Sequence, residues 1–139
     1  MLVQEVMNKK VIMIDCNKTA FDACNMYKDY KVGCLIVTDN GKCAGIVTER
    51  DLIERTICLH RDPEKTKVDD IMSRDIKTIH PLDTIDKALN IMSESNIKKL
   101  PVVLNEKIVG IITITDISRA RPDMSTRFIE SWIKPRWID

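Results

Sequence analysis

Glycine and aromatic residues are scarce in this sequence. Its 139 residues include 4 Gly, 2 Phe, 2 Tyr and 2 Trp. A phosphate-cradling loop of the G-x-x-x-x-G-K-[ST] type needs closely spaced glycines, and this pattern does not occur here. The sequence therefore gives no support to a phosphoryl-transfer enzyme of that class, and we expect no catalytic activity.

An excess of charge of either sign is also lacking. The 22 basic and 21 acidic residues leave a formal net charge of +1, and residues 1–59 carry eight of each sign. Binding to nucleic acid or to anionic membranes through a basic surface gains no support from this balance. There is no charged-then-apolar leader and no apolar run near the roughly 18 residues that cross a bilayer. We expect a cytoplasmic protein without a membrane partner.

Paired cysteines with metal-ligand spacing are missing as well. No C-x-x-C occurs, and only His60 and His80 could supply imidazole ligands, so we expect no metal site. Free cysteine packs readily as a small apolar residue, and we expect these side chains to be buried or half-buried, with redox sensing as the alternative. The five cysteines are Cys16, Cys24, Cys34, Cys43 and Cys58.

An internal repeat organises the chain. Shifting the sequence by 65 residues aligns residues 3–52 with residues 68–117 without a gap, and more than a dozen of the 50 aligned pairs are identical. These pairs include Thr19/Thr84, Leu35/Leu100, Val37/Val102, Gly45/Gly110, Thr48/Thr113 and Asp51/Asp116. Two copies of one structural unit follow from this. We place them at residues 1–59 and 68–118, with a linker at 60–67 and a tail at 119–139.

Each copy contains an apolar pattern with helical spacing, followed by a second helix after Thr48 or Thr113. The first pattern is Ala20, Ala23, Cys24 and Tyr27 in copy one, and Ile85, Ala88, Leu89 and Met92 in copy two. Thr19 in copy one, and Asp83 or Thr84 in copy two, are the candidate N-caps.

The strands are indicated by β-branched runs around short turns. Asn40-Gly41 strongly favours a hairpin, and Asn105-Glu106 stands in the same place in copy two. Short first strands are expected at residues 11–14 and 76–79. Each copy is therefore predicted as strand, helix, strand, strand, helix, which gives an α/β fold.

These repeats resemble a tandem pair of CBS domains, the Bateman module. The resemblance rests on the openings "VQEVM" and "VDDIM", the strands "KVGCLIVTD" and "IKKLPVV", and the closings "GIVTERD" and "GIITITD". It implies two β-α-β-β-α repeats packed as a pseudo-twofold module. It also implies clefts between the repeats for an adenine nucleotide or related adenosyl ligand: AMP first, with ATP, ADP or S-adenosylmethionine as other candidates. Such a module senses a regulatory ligand, has no resident cofactor, and pairs as a homodimer that can signal to an effector protein.

The closing motif has two interpretations. Thr48 with Asp51, and Thr113 with Asp116, match the [ST]-x-x-[DE] capping box at a helix start. The same junction suits a ligand, because free N–H groups gather there. A carboxylate would repel a phosphate at contact distance, so the Asp is expected to accept neutral donors such as ribose hydroxyls, which is the role that the family gives it.

The glycines that begin the closing motif also have two compatible interpretations. At Gly45 and Gly110 the lack of a side chain allows close backbone approach at the candidate site, and the structural alternative is a bulge or tight turn.

The two copies differ where a phosphate would be neutralised. Lys98 and Lys99 of copy two replace Gly33 and Cys34 of copy one, while Arg50 stands where copy two has Thr115. Lysine pairs are commonly solvated or protect a sheet edge, and contact with phosphate is the alternative. The resemblance places apolar walls for the base on the first strands and on the strand after the lysines. Its remaining candidate residues are Ile12, Thr78, Ile79, Pro81, Leu100 and Pro101.

The tail contains both tryptophans, Trp132 and Trp137. A helix over residues 125–134, ended by Pro135, would carry a narrow apolar stripe. The stripe consists of Phe128, Ile129, Trp132 and Ile133. It can pack on its own module, across a dimer, or on a separate partner.

Overall fold

The computed structural model describes residues 1–124, and the tail helix expected over residues 125–134 lies outside them. The helices are α1 Val3–Val6, α2 Ala20–Tyr30, α3 Glu49–Leu52, α4 Val68–Ile71, α5 Ile85–Ser95 and α6 Ile114–Ala120. The strands are β1 Met13–Asp15, β2 Cys34–Asp39, β3 Lys42–Thr48, β4 Lys99–Leu104 and β5 Lys107–Thr113. A π-helical turn, Ile53–Ile57, follows α3 directly.

The chain forms two compact units that do not follow the sequence repeats at their openings. One unit is Ile12–Ile76, here called the first-repeat unit. The other joins Met1–Val11 to the chain from Lys77 onward, and is called the second-repeat unit. The opening of each copy therefore belongs to the unit built around the other copy.

The first-repeat unit contains a three-stranded sheet in the order β1-β2-β3, with β1 parallel and β3 antiparallel to β2. Both hairpin residues have positive φ, 51° at Asn40 and 80° at Gly41, as a two-residue turn of the I′ type requires. The hairpin prediction is confirmed. The first strand was expected at residues 11–14, but the residues that pair with β2 are Met13–Asp15.

The second-repeat unit contains the antiparallel hairpin β4-β5, with positive φ at Asn105 and Glu106. The strand expected at residues 76–79 is reduced to a single parallel bridge between Ile79 and Val102. Pro101 explains part of this loss, since proline has no N–H to offer to a neighbouring strand. Its carbonyl instead accepts the Ile79 N–H at 3.0 Å.

Threonine N-caps begin the long helix of each unit. The Thr19 hydroxyl accepts from the Asp22 N–H, and the Thr84 hydroxyl accepts from the Lys87 N–H. Thr84, not Asp83, is thus the cap of α5. In the first-repeat unit the buried Tyr27 hydroxyl also donates to the Val47 carbonyl at 2.6 Å, which ties α2 to β3.

Each opening segment pairs with the closing strand of its unit. Asn8 and Ile111 exchange backbone hydrogen bonds of 2.8 and 2.9 Å, and Ser73 and Ile46 exchange bonds of 2.8 and 3.0 Å. Val3 and Val68, the first residues of α1 and α4, are completely buried in the two cores. Residues 3–8 and 68–73 are therefore structural parts of the unit that receives them.

The glycines of the closing motifs lie where these segments pass. A Cβ on Gly45 would collide with the Ser73 carbonyl oxygen, and one on Gly110 would lie 2.6 Å from the Met7 sulfur. The strand register also shifts beside each glycine. Close approach of an opening segment and a bulge thus occur together at each glycine, and the bulge expected from the sequence is confirmed.

The burial expected for the cysteines is wrong for two of the five. Cys16 is buried and Cys34 and Cys43 are intermediate, but Cys24 and Cys58 are exposed. Cys24 follows the core residue Ala23 in α2 and lies outside the helix face that packs on the sheet, and Cys58 follows the π-helical turn.

Gly45→Ala should destabilise the protein by about 1–3 kcal/mol, because the added methyl group must displace the Ser73 backbone. Urea unfolding measures this change. Gly33→Ala is the matched control, since no atom lies within 4 Å of its Cβ position, and we expect it to stay within about 0.5 kcal/mol of the parent. Equal stability of the two variants would contradict the packing described for Gly45.

Candidate functional site

The site builds on the junction between the closing strand and the following helix. Asp51 Oδ2 accepts from the Thr48 N–H at 2.9 Å, while the Thr48 hydroxyl accepts from the Asp51 N–H at 3.1 Å. Thr113 and Asp116 repeat both bonds at the same distances. Each motif is a complete capping box that uses one carboxylate oxygen and leaves Oδ1 outside the box.

The strand before each junction brings a second group of candidates beside it. Cys34 pairs with Thr48, and Lys99 pairs with Thr113. The Gly33 carbonyl accepts the N–H of Glu49, and the Lys98 carbonyl accepts the N–H of Ile114, at 3.2 and 2.9 Å. The two candidate residues Gly33 and Cys34 therefore lie directly beside the helix start of the first-repeat unit. Lys98 and Lys99 lie at the same place in the second-repeat unit.

The candidates for the base-binding walls are placed less uniformly. Ile12 is half-buried and its carbonyl faces the Ile36 N–H at 3.4 Å, whereas Thr78 is exposed. Pro81 is buried and its carbonyl accepts the Gln4 N–H. Three others, Ile79, Leu100 and Pro101, are buried in the second-repeat unit. These buried residues contribute to the core, and Leu100 has no exposed surface to offer a ligand.

The charged and polar candidates Arg50, Lys98, Lys99 and Thr115 are exposed, whereas the capping-box residues Thr48, Asp51, Thr113 and Asp116 are partly buried. Arg50 donates to Glu54 at 2.8 Å, and this hydrogen bond raises the pKa of the Arg50 guanidinium further above its ordinary value. Arg50 is thus held along its own helix in this structure.

A cavity of about 320 Å³ lies beside Asp116 in the second-repeat unit. This volume is at the small end of the range for ligand pockets, enough for a sugar-sized group. Its lining residues are Met1, Glu5, Val6, Asp116, Arg119 and Ala120. Only Asp116 among them was predicted from the sequence, because the others come from α1, from Met1 just before it, or from the far end of α6.

Cysteine and metal chemistry find little support in residues 1–124. Burial raises the pKa of Cys16 and of Cys43, which favours the unreactive thiol over the thiolate. No group of three or more His, Cys, Asp or Glu side chains in this part of the chain could hold a metal ion. None of the helices described is long and apolar enough to cross a membrane.

Comparison with protein families matches the CBS domain twice, at residues 3–57 and 68–123. The two β-α-β-β-α repeats and the paired closing motifs agree with this match. The chain belongs to the CBS domain family and is a tandem CBS pair, as the sequence indicated.

Individual relatives extend the comparison. The uncharacterized protein MJ0450 of Methanocaldococcus jannaschii is 32% identical over 84% of this chain, which spans 64% of that relative. The CBS domain pair of protein MJ0100, solved with methylthioadenosine and S-adenosyl-L-methionine, is 29% identical with a TM-score of 0.74, over 89% of this chain and 98% of that one. A hexameric CBS-CP12 protein from bloom-forming cyanobacteria is 28% identical with a TM-score of 0.71, over 84% of this chain and 66% of that one.

Thr113→Ala should destabilise the protein by about 1 kcal/mol, because the Asp116 N–H loses its acceptor, whereas Thr113→Ser keeps a hydroxyl and should lose less. Thermal unfolding without ligand measures both variants. Thr115→Ala is the control, since Thr115 is an exposed residue of the same helix turn and alanine is a good helix former. If Thr113→Ala matched the control, the capping box would not contribute to stability.

Proposed function

We propose that this chain is a regulatory module that binds an adenosyl ligand, either an adenine nucleotide such as AMP or a compound of the S-adenosylmethionine type. The observation that carries the proposal is the second carboxylate oxygen at each junction. Capping occupies Oδ2 of Asp51 and of Asp116 and leaves Oδ1 outside the capping box, although the Oδ1 of Asp51 lies 3.9 Å from Arg55 Nε. Beside Asp116 there is also a cavity, open to the surface, that is large enough for the ribose of such a ligand.

The ligand bound to the CBS pair of protein MJ0100 supports the adenosyl class. Methylthioadenosine, S-adenosylmethionine and AMP share adenine and a ribose with two neighbouring hydroxyls, and they differ in charge beyond the ribose. A carboxylate accepts hydrogen bonds from those hydroxyls well and repels a phosphate. Recognition through the shared ribose therefore suits the chemistry of Asp116 and Asp51.

The remaining candidates take roles that follow from their positions. Lys98 and Lys99 lie next to the junction of β5 and α6 at Thr113, where they can contact a phosphate or a carboxylate of the ligand. Ile12 of the first-repeat unit is half-buried and Thr78 of the second-repeat unit is exposed, so each is accessible to the base of a ligand bound in its own unit. The buried candidates shape the backbone around the site instead.

Catalysis is not part of the proposed function. Binding through ribose hydroxyls, backbone groups and lysines supplies no activated nucleophile and no general base near a scissile bond. The module instead senses the concentration of the ligand and transmits this signal to an effector protein.

A second candidate function is a structural or interaction module with empty sites. The completeness of both capping boxes favours it, because Thr48, Asp51, Thr113 and Asp116 each have a structural role without a ligand. Ligand binding separates the two functions, since a ligand that binds only the folded chain raises its melting temperature. We expect at least one of AMP, ATP, S-adenosylmethionine and methylthioadenosine to do so.

Asp116→Asn should weaken the binding of that ligand by about 1–3 kcal/mol, because the amide offers one neutral acceptor where the carboxylate offered a charged one. Calorimetric titration measures the affinity. Stability should change little, since asparagine still accepts from the Thr113 N–H. Asp86→Asn is the control, an exposed aspartate in the first turn of α5. Unchanged affinity in Asp116→Asn would remove Asp116 from the site, and no binding by the parent would favour the interaction module.

We further propose that the chain forms a homodimer. The first-repeat unit exposes Ile53 (52%), Ile57 (64%) and Leu59 (55%) close together in sequence, and exposed apolar clusters commonly mark interfaces. Light scattering should give about twice the 16.0 kDa chain mass at micromolar concentration. Ile53→Ser combined with Ile57→Ser should lower this mass, whereas Leu104→Ser, at an exposed residue of the other unit, should not. A strict monomer at high concentration would refute the dimer.

A further inference from the structure

The two closing motifs differ in what surrounds the free carboxylate oxygen. Asp51 Oδ1 lies 3.9 Å from Arg55 Nε, and the Asp51 side chain is only 13% exposed. At that distance the contact is electrostatic and not a hydrogen bond. Among residues 1–124, no ion pair involves Asp116.

Arg55 is held in place by more than Asp51. Its Nη1 donates to the carbonyls of Ile71 and Met72, at 3.0 and 3.2 Å, where α4 ends. Arginine commonly satisfies the last carbonyls of a helix in this way. The guanidinium therefore lies between the Thr48–Asp51 junction and the end of the opening segment seated in the same unit.

Continuing the 65-residue shift three residues beyond the aligned stretch gives the corresponding position in the second-repeat unit, which is the last residue of α6, whereas Arg55 lies in the π-helical turn. Ala120 corresponds to Arg55, Asp116 to Asp51, and Val6 to Ile71. Ala120, Asp116 and Val6 all line the cavity. The space that Arg55 occupies in one unit is thus bordered by the same positions that enclose an open cavity in the other.

We propose that Arg55 closes the Asp51 site and that Ala120 opens the Asp116 site, so that each chain binds one adenosyl ligand, at Asp116. This assignment rests on the proposed function and adds which of the two motifs is used. A ribose hydroxyl approaching Asp51 Oδ1 must displace a guanidinium that has three contacts of its own. At Asp116 it enters a cavity that already exists. Arg55 is accordingly a specificity-determining residue that the ligand does not touch.

Calorimetric titration with S-adenosylmethionine, and separately with AMP, tests the assignment. The parent should bind one ligand per chain. Ala120→Arg should weaken binding at least about tenfold by filling the cavity, which corresponds to about 1.4 kcal/mol. Ala120→Leu fills the same space without adding a charge, and it should weaken binding too. This second variant keeps the test valid if Ala120→Arg fails to fold.

Arg55→Ala should raise the number of ligands bound per chain from one toward two, and Arg61→Ala, an exposed arginine of the same unit, should leave both stoichiometry and affinity unchanged. Two equal sites in the parent, or full affinity in both folded Ala120 variants, would overturn the assignment.

If neither ligand binds the parent, the proposed function fails and Arg55 is tested without ligand. Urea midpoints of Arg55→Ala, Asp51→Asn and the double variant then form a thermodynamic cycle. Non-additive losses would support the closure of Asp51 by Arg55. Additive losses would overturn it.

Discussion

The rest of the structure depends on the close passage of an opening segment over a glycine in the closing strand. Ser73 bonds to Ile46 beside Gly45, and Asn8 bonds to Ile111 beside Gly110. A side chain at Gly45 would push against the Ser73 backbone, and one at Gly110 would displace the Met7 side chain and crowd the Asn8 carbonyl oxygen. The pairing of each opening segment with a closing strand buries the first valine of that segment in the core. The closing strand then leads directly into the helix start that carries the Thr and Asp of the candidate site.

Under the proposed function, the helix start serves two physical roles, helix capping and ligand recognition. A capping box needs one oxygen from each side chain, and a carboxylate has two. Stability and ligand recognition can therefore use different atoms of the same aspartate. The difference on which the proposed assignment of the two sites rests lies outside the motif, four residues after its aspartate: Arg55 in one unit and Ala120 in the other.

Local sequence patterns predicted the elements whose cause is local. Thr19 and the Asn40-Gly41 turn specify a helix start and a hairpin by their own chemistry, and the repeat transferred both to copy two. The strand expected at residues 76–79 shrank to one bridge at Ile79, because a proline on the neighbouring strand removed a donor. The exchange of opening segments and the cavity beside Asp116 could not be predicted, since both depend on contacts between residues far apart in the sequence.

Backbone amide NMR of isotope-labelled protein, during addition of S-adenosylmethionine or AMP, tests most directly whether a ligand binds at the second closing motif. Saturable shifts should be largest at Thr113, Ile114 and Asp116 and along α1, which lines the cavity. The Thr48 and Asp51 amides should shift less. Saturable shifts confined to other surfaces, or none with either compound, would contradict the site at Asp116.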